Sequence, residues 1–253
     1  MPYAVRHPSS TSFHGNAIPK GVKWLLIGNI GVFVLHFFAT EFGFGDFFLD
    51  LSLWPRAVLG AFAVWQLVTY LFLHGGFSHI LFNMFALWMF GADLEREWGT
   101  RRFLEFYFLC GIGAGLCVVA ASVVFGGMDA PTIGSSGAIY GLLMAFGVLY
   151  PDRIVLFSFL FPIKAKHFVM IIGALAFMSS FAGSSSNVSH VAHLGGMIFG
   201  YFFLKRGRRV PRPHVGLGRT FSRHYHSWKM QRAKRKFEVY IKKQGSDRDR
   251  WVH

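Results

Sequence analysis

Apolar runs of nearly membrane-spanning length recur along the chain, with short polar stretches between them. A helix needs about 20 apolar residues to cross a hydrocarbon core of about 30 Å. By this criterion the pattern predicts an all-α polytopic membrane protein, built as a bundle of six transmembrane helices. Their predicted positions are 24–40, 78–92, 103–125, 136–150, 167–183 and 188–204.

The charges between these runs predict the orientation of the bundle. Cytoplasmic connections are enriched in Lys and Arg, and the opposite connections here contain Arg56 as their single basic residue. Because six spans return the chain to its starting side, the predicted orientation is N-in/C-in. The positive charges of the two inner connections are Arg96, Arg101, Arg102, Arg153, Lys164 and Lys166.

The composition agrees with a membrane location. Of the 253 residues, 53% are hydrophobic and 15% are charged, whereas a soluble domain carries about a quarter charged residues. The net charge of +14 is concentrated after residue 204, where 16 Lys and Arg stand against three acids. A basic segment directly after a membrane helix favours contact with anionic cytoplasmic lipid, and no nucleic acid partner is expected.

These patterns divide the chain into a cytoplasmic N-terminal tail (1–20), a six-helix core (21–205) and a basic cytoplasmic tail (206–253). The long outer connection 41–77 is rich in Trp, Phe and Leu but is broken by Pro55 and Gly60. A further span there would disrupt the charge pattern, and Trp favours the membrane interface. We therefore expect this connection to be embedded at the outer surface.

Unusual polar side chains occupy the outer ends of the second, fourth and sixth helices. With a rise of about 1.5 Å per residue, one polar residue from each helix, namely Asn83, Ser136 and His193, reaches a similar depth, about 8 Å below the outer surface. Irregular backbone at such a depth requires surrounding protein or water, so the pattern predicts a wet cavity that opens outward. The full set of unusual polar residues is His74, His79, Asn83, Ser136, Tyr140, His190 and His193.

A serine beside a histidine is the most reactive combination in this set. A serine hydroxyl becomes a nucleophile when a neighbouring base removes its proton, and histidine is the usual base. No Asp or Glu lies in the fourth, fifth or sixth helix, so a Ser/His dyad is expected rather than a triad. Simple helix capping by Ser135 and Ser136 is the alternative, and His190 is a rival to His193 as the base.

Small residues predict close helix packing around this set. Gly137 and Gly141 form one GxxxG pair, and Gly196 and Gly200 form another. Such pairs let helix backbones approach closely, which would bring the fourth helix against the sixth. The only two cysteines, at positions 110 and 117, lie about 10 Å apart along one helix, too far for a disulfide bond.

Three motifs in this chain closely resemble those of the rhomboid intramembrane serine proteases, and the resemblance covers about residues 20–204. Two further stretches, "LEREWG" at 94–99 and "FLEFYFLCGIGAG" at 103–115, are also similar to that family. The three motifs are "GSSG" at 134–137 with Tyr140, "HGGFSHILFN" at 74–83 and "AHLGGMIFG" at 192–200.

The resemblance implies a role for each residue that matches a motif. Ser136 would be the nucleophile and His193 the general base. The remaining roles are oxyanion donors at His79 and Asn83, packing of Tyr140 against the base, support from His74, and a structural acid at Glu95.

The resemblance also implies the reaction and its setting. Rhomboid proteases use no metal or cofactor, and they cut single-span membrane proteins near the outer membrane face. The expected location is the inner membrane of a bacterium. Where many members have Trp-Arg in the first outer loop, this chain has Trp65-Gln66.

Other functions fit the sequence less well. A membrane zinc protease would carry H-E-x-x-H, but "HVAH" at 190–193 lacks the glutamate. An aspartyl membrane protease needs two intramembrane aspartates, and no span interior contains one. Catalytically inactive rhomboid-like proteins bind membrane clients without cutting them, but they usually lack the serine or the histidine. A transporter would show internal repeats, and the two halves of this chain show none.

Overall fold

The computed structural model describes residues 17–157, 161–180 and 187–206. This part of the chain is mostly helical. A 3₁₀-helix covers Gly45–Leu51, a second covers Tyr70–Phe72, and a π-helical turn covers Leu87–Gly91. The α-helices are α1 (Lys20–Glu41), α2 (Pro55–Gly60), α3 (Gln66–Thr69), α4 (Phe77–Ala86), α5 (Ala92–Trp98), α6 (Thr100–Phe125), α7 (Ser136–Leu149), α8 (Ala165–Ser179) and α9 (Asn187–Arg206).

Three helices in this part of the chain are long and apolar enough to cross a membrane. They are α1, the rod Phe77–Trp98 and α6, while α7 and α8 are shorter apolar helices. Apolar side chains on α1 point outward, with Trp24 67% exposed and Leu35 64% exposed. A helix with so much exposed apolar surface is suited to lipid contact. The six-span count and the N-in/C-in orientation stay predictions.

The second predicted helix continues beyond its expected end. The sequence pattern ended it at residue 92, where charged residues begin, but α4, the π-helical turn and α5 form one rod that ends at Trp98. The charges are accommodated within the helix, because Asp93 binds Arg96 at 3.1 Å and Arg153 at 2.7 Å. Charge alone therefore did not mark the helix end.

Glu95 is the exception among these charges, because its side chain is buried, at 3% exposure. Its two carboxylate oxygens accept hydrogen bonds from the backbone N–H groups of Gly21 and Val22, both at 2.7 Å. One oxygen also accepts the Thr100 hydroxyl at 2.6 Å. Glu95 thus caps the first turn of α1, where N–H groups lack helical partners and a negative charge is favourable.

Replacing Glu95 with Ala is expected to lower the free energy of unfolding by about 3 kcal/mol, because two buried N–H groups lose their acceptor. Glu105→Ala is the matched control, because Glu105 forms an exposed ion pair with Arg101 worth about 1 kcal/mol or less. Denaturant unfolding in detergent micelles measures both. Equal losses in the two variants would contradict the capping role.

The outer connection 41–77 is a series of short helical segments, and Gln66 holds it together. The buried amide of Gln66 accepts the Trp54 N–H at 3.0 Å and donates to the Asp50 carbonyl at 3.0 Å. A neutral amide therefore anchors this loop through hydrogen bonds to its backbone.

This connection is also tied to the segment between α6 and α7. Leu53 and Thr132 form an antiparallel bridge with N···O distances of 3.0 and 2.9 Å. Arg56 forms an exposed ion pair with Asp129, and the hydrogen-bonded guanidinium holds the pKa of the Asp129 carboxyl below its usual value. Since the folded pKa is the lower one, the pair persists above about pH 4 and is lost as the pH falls further.

A β-hairpin between α7 and α8 corrects the all-α prediction. Strands β1 (Ile154–Phe157) and β2 (Phe161–Lys164) pair antiparallel, with Ile154 opposite Lys164. The short apolar run had been assigned to a connection, because four-residue strands are too short to give a clear periodicity. The fold is therefore mostly helical with one hairpin.

Glycines bring α7 and α9 into backbone contact, as the two GxxxG pairs predicted. A Cβ atom added at Gly196 would lie 1.8 Å from the Gly137 carbonyl oxygen, and one added at Gly200 would lie 3.1 Å from that of Gly141. On the other side of α7, a Cβ at Gly141 would lie 2.5 Å from the Cys110 sulfur. This close approach places the start of α7 beside the first turns of α9.

Two predicted segments lie mostly outside the described residues. The N-terminal tail 1–20 is described from residue 17 onward, and the basic tail 206–253 is described at Arg206 alone. Both divisions of the chain stay predictions.

Candidate active site

Ser136 and His193 are in direct contact, although 57 residues separate them in sequence. The distance between Ser136 Oγ and His193 Nε2 is 2.9 Å, a normal hydrogen-bond length. Ser136 is the first residue of α7, and His193 lies in the second turn of α9. The close packing of these two helices at their glycines makes the contact possible.

The His193 ring is held by stacking on Tyr140. The two rings are nearly parallel, with an interplanar angle of 2° and a centroid distance of 4.0 Å. Tyr140 lies one turn after Ser136 on the same helix, so α7 supplies both the hydroxyl and the surface on which the imidazole rests. The family resemblance implied packing between these two side chains.

No carboxylate orients the His193 ring among the described residues. Nε2 faces the Ser136 hydroxyl, and Nδ1 is buried without a hydrogen-bond partner in this part of the chain. For Nε2 to accept the serine proton, the neutral imidazole must carry its own proton on Nδ1. Among the described residues, the geometry is therefore a Ser–His contact without a third, carboxylate member.

Neither serine caps α7 through its side chain. Ser135 occupies the N-cap position without a side-chain capping bond, and Ser136 instead contacts His193. Ser135 is fully buried, and its hydroxyl lies 3.3 Å from His74 Nε2. The two adjacent hydroxyls thus bind two different histidines, and only that of Ser136 is partly exposed.

Replacing Ser135 with Ala removes the buried bond to His74 and leaves the Ser136–His193 contact. Because a hydrogen bond contributes about 1 kcal/mol, we expect the cleavage rate to fall by about fivefold through poorer positioning of the loop. Cleavage kinetics and fluorophosphonate labelling in detergent measure the effect. Ser122→Ala is the matched control, because Ser122 is buried without a hydrogen-bond partner. Complete loss of labelling in Ser135→Ala would instead identify Ser135 as the nucleophile.

His79 is placed next to the backbone that precedes Ser136. A Cβ atom added at Gly134 would lie 2.8 Å from His79 Nε2. The N–H of Gly75 donates to His79 Nδ1 at 3.4 Å, so the neutral ring carries its proton on Nε2. The resulting Nε2–H is a donor on the same side of the loop as the Ser136 backbone.

Asn83 lies one helical turn after His79, and its amide is partly engaged. Asn83 Nδ2 donates to the His79 carbonyl at 2.8 Å, and the side chain is buried. An amide nitrogen has two N–H groups, so one donor remains for another acceptor. His79 and Asn83 thus lie one turn apart on α4, with His79 against the Gly134 backbone that precedes Ser136.

Tyr70 was missed by the sequence analysis, but it anchors the loop that carries the serines. Its hydroxyl donates to the Gly111 carbonyl at 2.7 Å, and its carbonyl accepts the Gly134 N–H at 2.8 Å. Gly134 has a φ of 118°, in a region that side chains disfavour. The position of Tyr70, four residues before His74 in the sequence, was a signal that could have been used.

His190 was the alternative candidate for the general base, but the structure places His193 against the Ser136 hydroxyl instead. His193 is the histidine that reaches the Ser136 hydroxyl, and the His190 ring lies 6.0 Å from the His193 ring, edge to face. His74 likewise packs edge to face on His79, at 5.0 Å. Within the described residues, no group of three or more His, Cys, Asp and Glu side chains could hold a metal ion.

The model of the rhomboid domain matches residues 61–208, which is more than half of the 253-residue chain. The chain belongs to the rhomboid family. The match covers every residue of the site described above and extends to the end of α9. Together with the apolar helices, the family establishes this rhomboid as an integral membrane protein.

Relatives of this rhomboid occur in bacteria and in eukaryotic organelles. Rhomboid protease GluP of Bacillus subtilis is 40% identical over 138 residues, covering 54% of this chain and 25% of the relative. YdcA of the same species is 38% identical over 139 residues, covering 54% of this chain and 64% of the relative. Rhomboid protein 1, mitochondrial, of Saccharomyces cerevisiae is 28% identical over 216 residues, covering 80% of this chain and 57% of the relative. The chain thus spans less than two thirds of each of these relatives.

Proposed function

We propose that the chain is an intramembrane serine endopeptidase that hydrolyses peptide bonds of single-span membrane proteins. The observation that supports this most strongly is the 2.9 Å contact between Ser136 Oγ and His193 Nε2. Membership of the rhomboid family and the similarity to a relative named as a rhomboid protease add to it.

In the first step, Ser136 Oγ attacks the carbonyl carbon of the scissile bond while His193 Nε2 takes the hydroxyl proton. A new C–O bond forms, and the carbonyl electron pair moves to the oxygen. When this tetrahedral intermediate collapses, the C–N bond breaks, and His193 returns the proton to the leaving amine. An acyl ester on Ser136 remains.

The negative oxygen of the tetrahedral intermediate needs preorganised donors. The backbone N–H of Ser136, the Nε2–H of His79 and the second N–H of Asn83 are the candidates. His79 and Asn83 share one face of α4, and the Gly134 bend brings the loop against that face. His74 supports the site through its bond to Ser135.

In the second step, water attacks the acyl ester with His193 as the base. The ester C–O bond breaks, the substrate leaves as a carboxylic acid, and the serine proton is restored. The Nδ1 atom of His193 takes no part in these transfers. Stacking on Tyr140 keeps the imidazole in place while its Nε2 alternates between base and acid.

The proposed substrates are membrane helices that unwind near the outer membrane face. A helical peptide bond is shielded by its own hydrogen bonds, so small or helix-breaking residues should mark the cleavage region. The substrate would enter from the lipid beside α8 or beside the outer connection. We place the protein in the inner membrane of a bacterium, because its two Bacillus relatives are about 40% identical and the yeast one 28%.

Fluorophosphonate labelling combined with cleavage of a single-span model substrate tests the proposed function. The wild type should label and cut in detergent, and Ser136→Ala should do neither. Ser135→Ala is the control for the adjacent hydroxyl and should keep its label. A folded wild type that neither labels nor cuts would refute the proteolytic function and favour the binding of membrane clients without cleavage.

A further inference from the structure

At the far end of α6 from the candidate active site, basic and aromatic side chains line a groove of about 600 Å³. Its walls come from the last residue of α5, the first turn of α6 and the last turns of α9. Trp98 and Phe203 supply the aromatic surface, and Arg101 and Arg102 supply positive charge. Because α6 is long enough to cross a membrane, this groove lies where the helix meets a membrane surface.

Arg102 is held in this groove by two aromatic rings. Its guanidinium lies 6.0 Å from the centre of the Trp98 ring and 5.8 Å from that of Phe203. Stacking of this kind orients a guanidinium and leaves its N–H groups free to bind an anion. Arg102 is partly buried, which reduces the hydration of its guanidinium.

Arg102 has no carboxylate partner among the described residues, unlike its neighbours. Arg101 binds Glu105 at 2.9 Å, and Arg96 binds Asp93 at 3.1 Å. The first turn of α6 contains no acidic residue, and the last turn of α9 adds exposed Lys205 and Arg206. The groove therefore has an excess of positive charge.

The surface next to the groove is apolar and exposed. Leu109 lies two turns after Arg102 on the same face of α6 and is 38% exposed, and Phe202 on α9 is 60% exposed. A ligand with a phosphate at Arg102 and acyl chains along this surface would contact both the positive charge and the apolar surface. A soluble anion would contact only the positive charge.

We propose that this groove binds the phosphodiester headgroup of an anionic phospholipid such as phosphatidylglycerol. Arg102 is the central ligand, because Arg101 is paired with Glu105 at the groove wall, and the acyl chains lie against α6 and α9. This site is separate from the basic tail 206–253 and from the candidate active site. Basic pockets between membrane helices at a membrane surface are suited to such headgroups.

Photocrosslinking of the full chain in liposomes tests the proposal. The probe is phosphatidylglycerol with a diazirine near its headgroup, and the crosslinked peptides are identified by mass spectrometry. In the wild type we expect crosslinks at 98–105 and near Phe203, displaced by excess phosphatidylglycerol but not by phosphatidylcholine. Glycerol phosphate should not displace them. Displacement by glycerol phosphate would indicate a site for soluble phosphate and overturn the proposal.

Arg102→Gln should reduce these crosslinks by at least about fivefold, the effect of one basic group near anionic lipid. Arg96→Gln makes the same charge change outside the groove and should leave these crosslinks unchanged. In every sample, the crosslinks to the basic tail should also stay unchanged, so they serve as an internal reference. Arg102→Lys keeps the charge without the planar stack and should give an intermediate loss. Equal losses in Arg96→Gln and Arg102→Gln, or none in Arg102→Gln, would overturn the proposal, and thermal unfolding verifies that each variant is folded.

Discussion

Removing either member of the Ser136–His193 pair is expected to reduce the cleavage rate by about 10³-fold or more, and removing both should cost no more than removing one. A nucleophile and its base act as a unit, so the loss of one makes the other useless. Initial cleavage rates for Ser136→Ala, His193→Ala and the double variant, measured in proteoliposomes with a single-span substrate, give the comparison. The 2.9 Å contact is the physical basis for this expectation.

His190→Ala is the matched control for this prediction. His190 lies one helical turn before His193 on the same helix, and its ring is 6.0 Å from that of His193. We expect its replacement to change the rate only a few fold, because another histidine contacts Ser136. If His190→Ala were as slow as His193→Ala, or if the double variant multiplied the two single losses, the dyad assignment would be wrong.

Gly196→Ala is expected to have the second-largest effect, on both folding and activity. The added Cβ would lie 1.8 Å from the Gly137 carbonyl oxygen, and neither backbone can yield without moving a helix. Overpacking in a tight core costs about 1–3 kcal/mol or more. Because this same packing brings Ser136 to His193, labelling of Ser136 should fall together with the unfolding temperature.

Two other glycines provide graded controls for Gly196. An added Cβ at Gly200 would lie 3.1 Å from the Gly141 oxygen, and one at Gly31 in α1 would meet nothing within 4 Å. Gly200→Ala should be intermediate, and Gly31→Ala should be neutral or stabilising by about 1 kcal/mol, since Ala favours helices. Thermal unfolding in detergent ranks the three. Equal midpoints for Gly196→Ala and Gly31→Ala would show that the α7–α9 contact is not tight.

The prediction of helices from the sequence succeeded because lipid solvation acts on each segment separately. A run of apolar residues must satisfy its backbone hydrogen bonds within itself, so the starts of α4, α7 and α9 were predicted to within one residue. Local patterning failed where a tertiary contact overrides it. Burial of Glu95 against α1 is such a contact, and with the pairing of Asp93 it allows the rod to continue to Trp98.

The same distinction applies to the candidate site. The sequence identified Ser136, Tyr140 and His193 by residue type, spacing and motif, because the chemistry of a dyad demands these groups. The family motif favoured Ser136 over Ser135, but the sequence did not show which contacts orient the two neighbouring hydroxyls. The Gly134 bend and the bond from Ser135 to His74 decide this orientation.

By itself, then, the sequence predicted the positions of the helices, the family and the candidate residues, because hydrophobicity and residue chemistry are properties of the chain. Only the tertiary structure decided which groups meet. Three contacts depend on elements distant in sequence: that between Ser136 and His193, that of the Gln66 amide with the outer connection, and that of Arg102 with two aromatic rings. Such contacts arise from helix packing, where a single methyl group at Gly196 would be enough to prevent them.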